Sequence, residues 1–157
     1  MTDKFKTNRN KNFNFTFKKL NFDFPENKVT SVAGVVFDDN GKILVVKLDR
    51  GFDLPGGHIK NGETVFEAIK REFLEEAFVE ITDLKLSSII ESDYFGAEKE
   101  NLTYMLIFNG KLKTILDFKK NIESKKRVFI YPDDFLKLYS GEKTLMEKII
   151  FNALNSN

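Results

Sequence analysis

The chain has 157 residues, of which 41 % are hydrophobic and 31 % charged, and its net charge is +1. This is one domain's worth of ordinary globular composition, and it excludes an overall field suited to nucleic acid or an anionic membrane. There is no cysteine and one histidine, His58, which excludes disulfides, thiolate or histidine-rich metal sites and a cysteine nucleophile, and fits a cytoplasmic protein. No apolar run reaches the roughly 20 residues of a membrane span, and the first residues lack the apolar segment of a secretory signal.

Residues 1–11 are basic and polar and are expected to form a mobile tail. In "NFNFTFKKLNFDF", Phe13, Phe15 and Phe17 alternate with polar residues, as do Leu20, Phe22 and Phe24. A period of two predicts a strand with one apolar face, and the phase change at Lys18-Lys19 predicts a bulge or bend. Residues 1–28 are therefore read as an N-terminal extension. Its Phe-rich strand could join a sheet edge or mediate homodimer formation. A domain over 29–157 follows.

"VTSVAGVVFDDNGKILVVKL" predicts a hairpin turning at Asp39-Asn40-Gly41, since Asn-Gly suits a tight turn with positive φ. "GFDLPGGHIKNGE" reads as a loop. A helix follows, with Thr64 as its cap and Glu67 three residues on. Phe66, Ile69, Phe73 and Ala77 form its apolar face. Strands are predicted in "LKLSSIIESDYF", "NLTYMLIFNGKL" and "RVFIY". Asp133-Asp134 after Pro132 open a short helix that ends near Gly141. A last helix spans 144–154, with Thr144 and Glu147 as a capping box and Leu145, Ile149, Ile150 and Ala153 as the apolar stripe.

The helix after Thr64 carries unusual charge. Glu72, Glu75 and Glu76 share about 100° of arc at 3.6 residues per turn. Glu80 would extend that column in a longer helix. Arg71 has Glu67 and Glu75 at i±4. Glu72 and Glu76 have no base at helical spacing and are each other's i,i+4 neighbours, which costs a few tenths of a kcal/mol in an isolated helix. They also lie toward the helix C-terminus, where the dipole disfavours negative charge. Two readings fit the pattern. Either the column is a solvated acidic face, or it binds a hard divalent cation through oxygen ligands.

From Gly57 the chain reads Gly, five residues, Glu63, seven residues, then Arg71-Glu72-Phe73-Leu74-Glu75-Glu76, with Val79 in a closing apolar position. This resembles the Nudix box, and "LPGG" before it resembles the family too. The resemblance implies an α/β fold, the Nudix-type α/β/α sandwich with a mixed sheet. It implies hydrolysis of a nucleoside diphosphate linked to another group, with Mg²⁺ or Mn²⁺. By the same resemblance, Glu72, Glu75, Glu76 and the Gly56 carbonyl are metal ligands, and Glu72 or Glu75 helps to deprotonate water. Arg71 and Glu63 hold the carboxylates in place. Gly57 permits close approach of the substrate.

A further acid from outside the box is expected among Glu98, Glu100, Asp117 and Glu123, with Glu123 preferred. Phe52 and Tyr94 are candidate substrate contacts, each with simple packing as the alternative, and His58 is expected to decorate the loop. The box glycine before Val79 is replaced by Phe78. A left-handed Phe costs about 1–2 kcal/mol, so the helix is expected to run on toward Glu80, or to end without that conformation.

Downstream signatures of hydrolases acting on ADP-ribose and NADH, and the upstream motif of those acting on coenzyme A, are missing from the sequence. A nucleoside triphosphate (MutT-like) substrate, yielding a monophosphate and pyrophosphate, is therefore the leading expectation. A dinucleoside polyphosphate hydrolase is the alternative. Hydrolysis of RNA 5′ ends has no support from the near-neutral charge, although the basic first residues keep it open. A non-catalytic nucleotide-sensing module is the contrasting class, although such modules commonly lose box carboxylates that are all present here.

Overall fold

The computed structural model describes residues 4–7 and 13–156. The two apolar runs form β3 (Val29–Phe37) and β4 (Ile43–Leu48), antiparallel across the expected turn. Gly41 takes φ 79° there, which costs nothing sterically without a Cβ. Asp38 Oδ1 accepts from the N–H groups of Asn40 and Lys42. The strands pair at Phe37 and Ile43 and then part. Two short strands take the freed edges: β5 (Gly51–Asp53) pairs with β4, and β6 (Gly56–His58) pairs with β3. The segment read as a loop is thus partly strand, because its backbone satisfies those edges.

The remaining strands are β7 (Val79–Ser92), β8 (Thr103–Ile115) and β9 (Lys126–Ile130). β8 runs parallel to β3 and antiparallel to β7. β9 pairs with the far edge of β4. The expected N-terminal strand is β2 (Phe13–Lys18), bonded to β7 on one side and to β1 (Lys4–Thr7) on the other. Residues 4–7, expected within a mobile tail, are therefore a strand; the rest of that stretch lies outside the described residues. The second half of the Phe-rich segment is not a strand. A turn closes from the Phe22 N–H to the Lys19 carbonyl, and Phe22 and Phe24 pack toward the Tyr104 ring.

Helix α1 (Val65–Glu72) covers one face of this mixed sheet, with Ile69 and Phe73 packed on Val32, Val36 and Leu106. α2 (Pro132–Leu138) and α3 (Lys143–Leu154) cover the other, where Ile149 and Ile150 meet Val35, Ile90 and Ile107. The architecture is the expected α/β/α sandwich. Gly34 on β3 is required by the helix, because a Cβ there would stand 2.6 Å from the Phe73 ring. Two local expectations are corrected. Phe66 is 50 % exposed and leans on Phe108 from the flank of α1. The cap of α3 is Glu142, whose carboxylate accepts from the Thr144 N–H at 2.8 Å. Thr144 is already inside the helix, so its N–H is one of the orphan donors. Among the described residues no helix is long and apolar enough to cross a membrane.

Candidate active site

Thr64 caps α1 by accepting from the Glu67 N–H at 3.1 Å, as its position predicts. The helix then carries Arg71, from which the site is organised. Arg71 Nε donates to Glu63 Oε2 at 2.6 Å, and Nη2 donates to Glu63 Oε1 at 3.0 Å. Nη2 also reaches the His58 carbonyl at 3.1 Å. Nη1 donates to Glu72 Oε1 at 2.9 Å and to Glu75 Oε2 at 3.1 Å. The box's first acid, its arginine and two of its helical carboxylates therefore form one network. Glu72 has no base at helical spacing, but it does have a partner in the adjacent residue, Arg71. Neighbours in sequence do not normally face each other on a helix, but the long guanidinium folds back far enough.

The Arg71 hydrogen bonds, joined by the Lys60 N–H at 2.9 Å, hold the Glu63 carboxyl down at about 2. In return Glu63 raises the Arg71 pKa above its usual value. Glu76 is the opposite case. It is 4 % exposed and Glu72 is 8 % exposed. Burial, and then the hydrogen bond that its protonated form makes with Glu72, push Glu76 up to about 8. The Gly56 N–H, 3.2 Å from Glu76 Oε1, opposes that rise, while the charges of Glu72 and Glu123 add to it. Glu123, the preferred outside acid, thus lies close enough to act on Glu76. Glu100 is remote from this network in bonding, its carbonyl accepting from Lys28.

The glycines shape the approach. A Cβ on Gly57 would stand 2.5 Å from Glu72 Oε1, so the bare backbone of β6 is what lets the carboxylate lie against it. Gly56 pairs with Ala33 of β3 while its N–H faces Glu76. His58 is exposed on β6. Phe52 is half-buried against the α2–α3 core with Lys47 Nζ over its ring. Tyr94 lies in the turn after β7, its ring against Phe13 and Phe95. Neither is brought into the Arg71 network. Glu80 sits on β7, outside the helix. A cleft of about 1160 Å³ opens around the β3–β4 turn, lined by Asp39, Asp83 and Lys111 among others, and none of the box residues lines it.

After Glu72 the helix widens into a π-type turn, Phe73–Ala77, which carries Glu75 and Glu76. It ends at Phe78 with φ 55° and ψ 44°. The expectation that the helix would avoid the left-handed end is therefore wrong. The strain is met by tertiary contacts. The Phe78 N–H returns to Phe73 and Leu74, and its carbonyl accepts from the Leu116 N–H at 2.9 Å. Its ring meets Phe118 edge to face at 5.4 Å, a contact worth about 0.5–1.5 kcal/mol, comparable to the cost of the conformation.

Among the described residues no three Asp, Glu or His side chains are gathered tightly enough to hold a metal ion. Glu75 is turned to Arg71 and toward Lys60, 3.9 Å away. The donor set nevertheless suits a hard divalent cation. Glu72 and Glu76 are buried together, and burial raises the Glu76 pKa, a cost that a bound cation would relieve. Glu75, with its side chain 47 % exposed, is the one of the three that reaches solvent, where Arg71 holds it.

The profile described as NUDIX domain matches residues 27–147, and the chain belongs to that family. A NUDIX hydrolase from Nitrosomonas europaea shares 24 % identity and a TM-score of 0.64, over 80 % of this chain and 88 % of its own. A mutant of the Bacillus subtilis pyrophosphohydrolase BsRppH shares 20 % identity and a TM-score of 0.70, over 98 % of this chain and 94 % of its own. These likenesses concern the fold, and the second takes in nearly all of the N-terminal strands. A Geotalea daltonii protein named trigger factor is 26 % identical over 135 residues, and the chain spans 28 % of its length. Within that family the chain carries all of the box carboxylates, Glu72, Glu75 and Glu76.

Proposed function

We propose that the chain hydrolyses a nucleoside triphosphate to a monophosphate and pyrophosphate, with Mg²⁺ or Mn²⁺ held by Glu72, Glu75, Glu76, the Gly56 carbonyl and Glu123. The observation that carries this reading is the Glu72–Glu76 pair, with both carboxylates buried side by side and burial pushing the Glu76 pKa up. Two desolvated carboxylates at that spacing are a poor structural choice unless a cation offsets their charge. The choice of a triphosphate rests on the sequence, which lacks the signatures of hydrolases acting on ADP-ribose, NADH and coenzyme A.

When bound, the cation would supply positive charge against the phosphoryl oxygens and make water easier to deprotonate. The chain does the rest. Arg71 fixes Glu72 and Glu75 while Glu63 fixes Arg71. The bare backbone at Gly56-Gly57 lets a phosphate come close. Glu75, the box carboxylate that reaches solvent, takes the proton of the attacking water. A new P–O bond forms to that water, the α–β bridging P–O bond breaks, and the leaving oxygen departs with its electron pair.

The test is a nucleotide panel with Mg²⁺ and product identification, comparing the parent with Glu75→Gln and Glu76→Gln. Monophosphate and pyrophosphate from triphosphates, falling to background in both variants, is the expected result. Equal background rates in all three proteins would make the chain a nucleotide sensor. Faster turnover of dinucleoside polyphosphates would move the substrate class.

A further inference from the structure

The family's box has a glycine where this chain has Phe78, and the left-handed end of the helix is kept all the same. Something must hold a Phe where a glycine would rest unaided. Arg127 on β9 is placed to do it. Its Nη1 donates to the Leu116 carbonyl at 2.7 Å, the Ala77 carbonyl at 3.0 Å and the Phe78 carbonyl at 3.3 Å. Two of these are carbonyls at the end of the π-type turn, which a helix terminus leaves without intrahelical donors. A cation there also complements the helix dipole. The guanidinium lies 5.9 Å from the centre of the Phe118 ring, and Phe118 in turn meets Phe78. Phe78, Phe118 and Arg127 therefore form one cluster across the helix end.

β9 gives this cluster a firm base, since Arg127 pairs with Val46 within the β4–β9 ladder. The same strand is entered from the loop that carries Glu123, four positions earlier. One residue thus ties the turn bearing Glu75 and Glu76 to the segment bearing the outside acid.

We infer that Arg127 is a positioning residue for the cation site: with Phe118 it clamps Phe78 and so sets where the carboxylates of the π-type turn stand. This rests on the cation-binding reading above. Its specific content is that the clamp is needed because residue 78 is not glycine. Restoring glycine should make Arg127 dispensable to the site, since the left-handed turn then closes without strain.

The experiment measures Mn²⁺ affinity by calorimetry and urea stability in four proteins: the parent, Arg127→Met, Phe78→Gly and the double variant. Arg127→Lys is added as a fifth, because it keeps the charge and loses the fork. Arg127→Met should weaken Mn²⁺ binding about tenfold, in the range seen when the outer support of a metal site is lost. In the Phe78→Gly background the same change should weaken it less than threefold. Arg127→Lys should fall with Arg127→Met. Lower stability in Arg127→Met with unmoved Mn²⁺ affinity would overturn the inference, leaving Arg127 a role in the fold alone. Equal losses in both backgrounds would overturn the link to Phe78. If Arg127→Met does not fold, Arg127→Lys against its own Phe78→Gly double variant decides by the same comparison. A parent that binds no Mn²⁺ defeats the proposed function, and this inference with it.

Discussion

Arg71 meets both oxygens of Glu63, eight positions earlier in the chain, at 2.6 and 3.0 Å. This fork fixes the guanidinium plane, and the plane in turn aims Nη1 at Glu72 and Glu75. A lysine could neutralise one of these carboxylates but could not span them. Arg71→Lys is therefore expected to cut kcat about 10–100-fold with a smaller change in KM, and to lower the urea midpoint. Steady-state kinetics beside urea melts check both. An unchanged kcat would remove Arg71 from the site's support.

Glu63 and Glu76 make stability depend on pH with opposite signs. Glu63 is lowered in the folded state to about 2 from 4.5. Its contribution is present above pH 4.5 and is lost as pH falls toward 2. Glu63→Gln should therefore flatten the acid limb of stability against pH, measured by urea melts between pH 2 and 5.

Glu76 is raised to about 8 from 4.5. Between those values the folded chain holds a proton that the unfolded chain has released. Stability of the metal-free protein should therefore fall as pH rises through that window, by about 1.4 kcal/mol per pH unit from this group. Saturating Mg²⁺ should flatten or reverse the slope, because cation binding favours the deprotonated pair. Glu76→Gln should remove the slope and lose activity about 100-fold or more. It would then be more stable than the parent at pH 8 and nearly inactive. A flat parent profile without metal would show that Glu76 ionises freely in the fold.

The sequence announced the parts of this site that are local or held by spacing. The Thr64 cap needs one residue three positions away, and Thr64 does accept from Glu67. The hairpin turn was legible because Asn40-Gly41 admits few conformations. What failed depends on distant chain. Arg127 reaches Ala77 across 50 positions, and no local pattern reports that. Without it, avoiding strain at Phe78 was the reasonable inference from propensity. Phe66 sits at helical spacing from Ile69, yet the helix turns it to the flank. The π-type turn was equally hidden, since it changes the phase of Glu75 and Glu76 only once the end of the helix is pinned.

Two glycines that contact the same helix should separate stability from catalysis. A Cβ on Gly34 would stand 2.6 Å from the Phe73 ring, which is fully buried. Gly34→Ala therefore overpacks the core and should cost about 1–3 kcal/mol, with residual activity in proportion to the folded fraction. A Cβ on Gly57 would instead stand 2.5 Å from Glu72 Oε1. That carboxylate ends a side chain that can swing away, so stability should change little. The displaced Glu72 would leave both Arg71 and the cation's place, and kcat should drop about 100-fold with weaker Mn²⁺ binding. Urea melts and Mn²⁺ titrations on both variants decide the matter. If Gly57→Ala kept full activity, Glu72 could not be working from the position in which it lies.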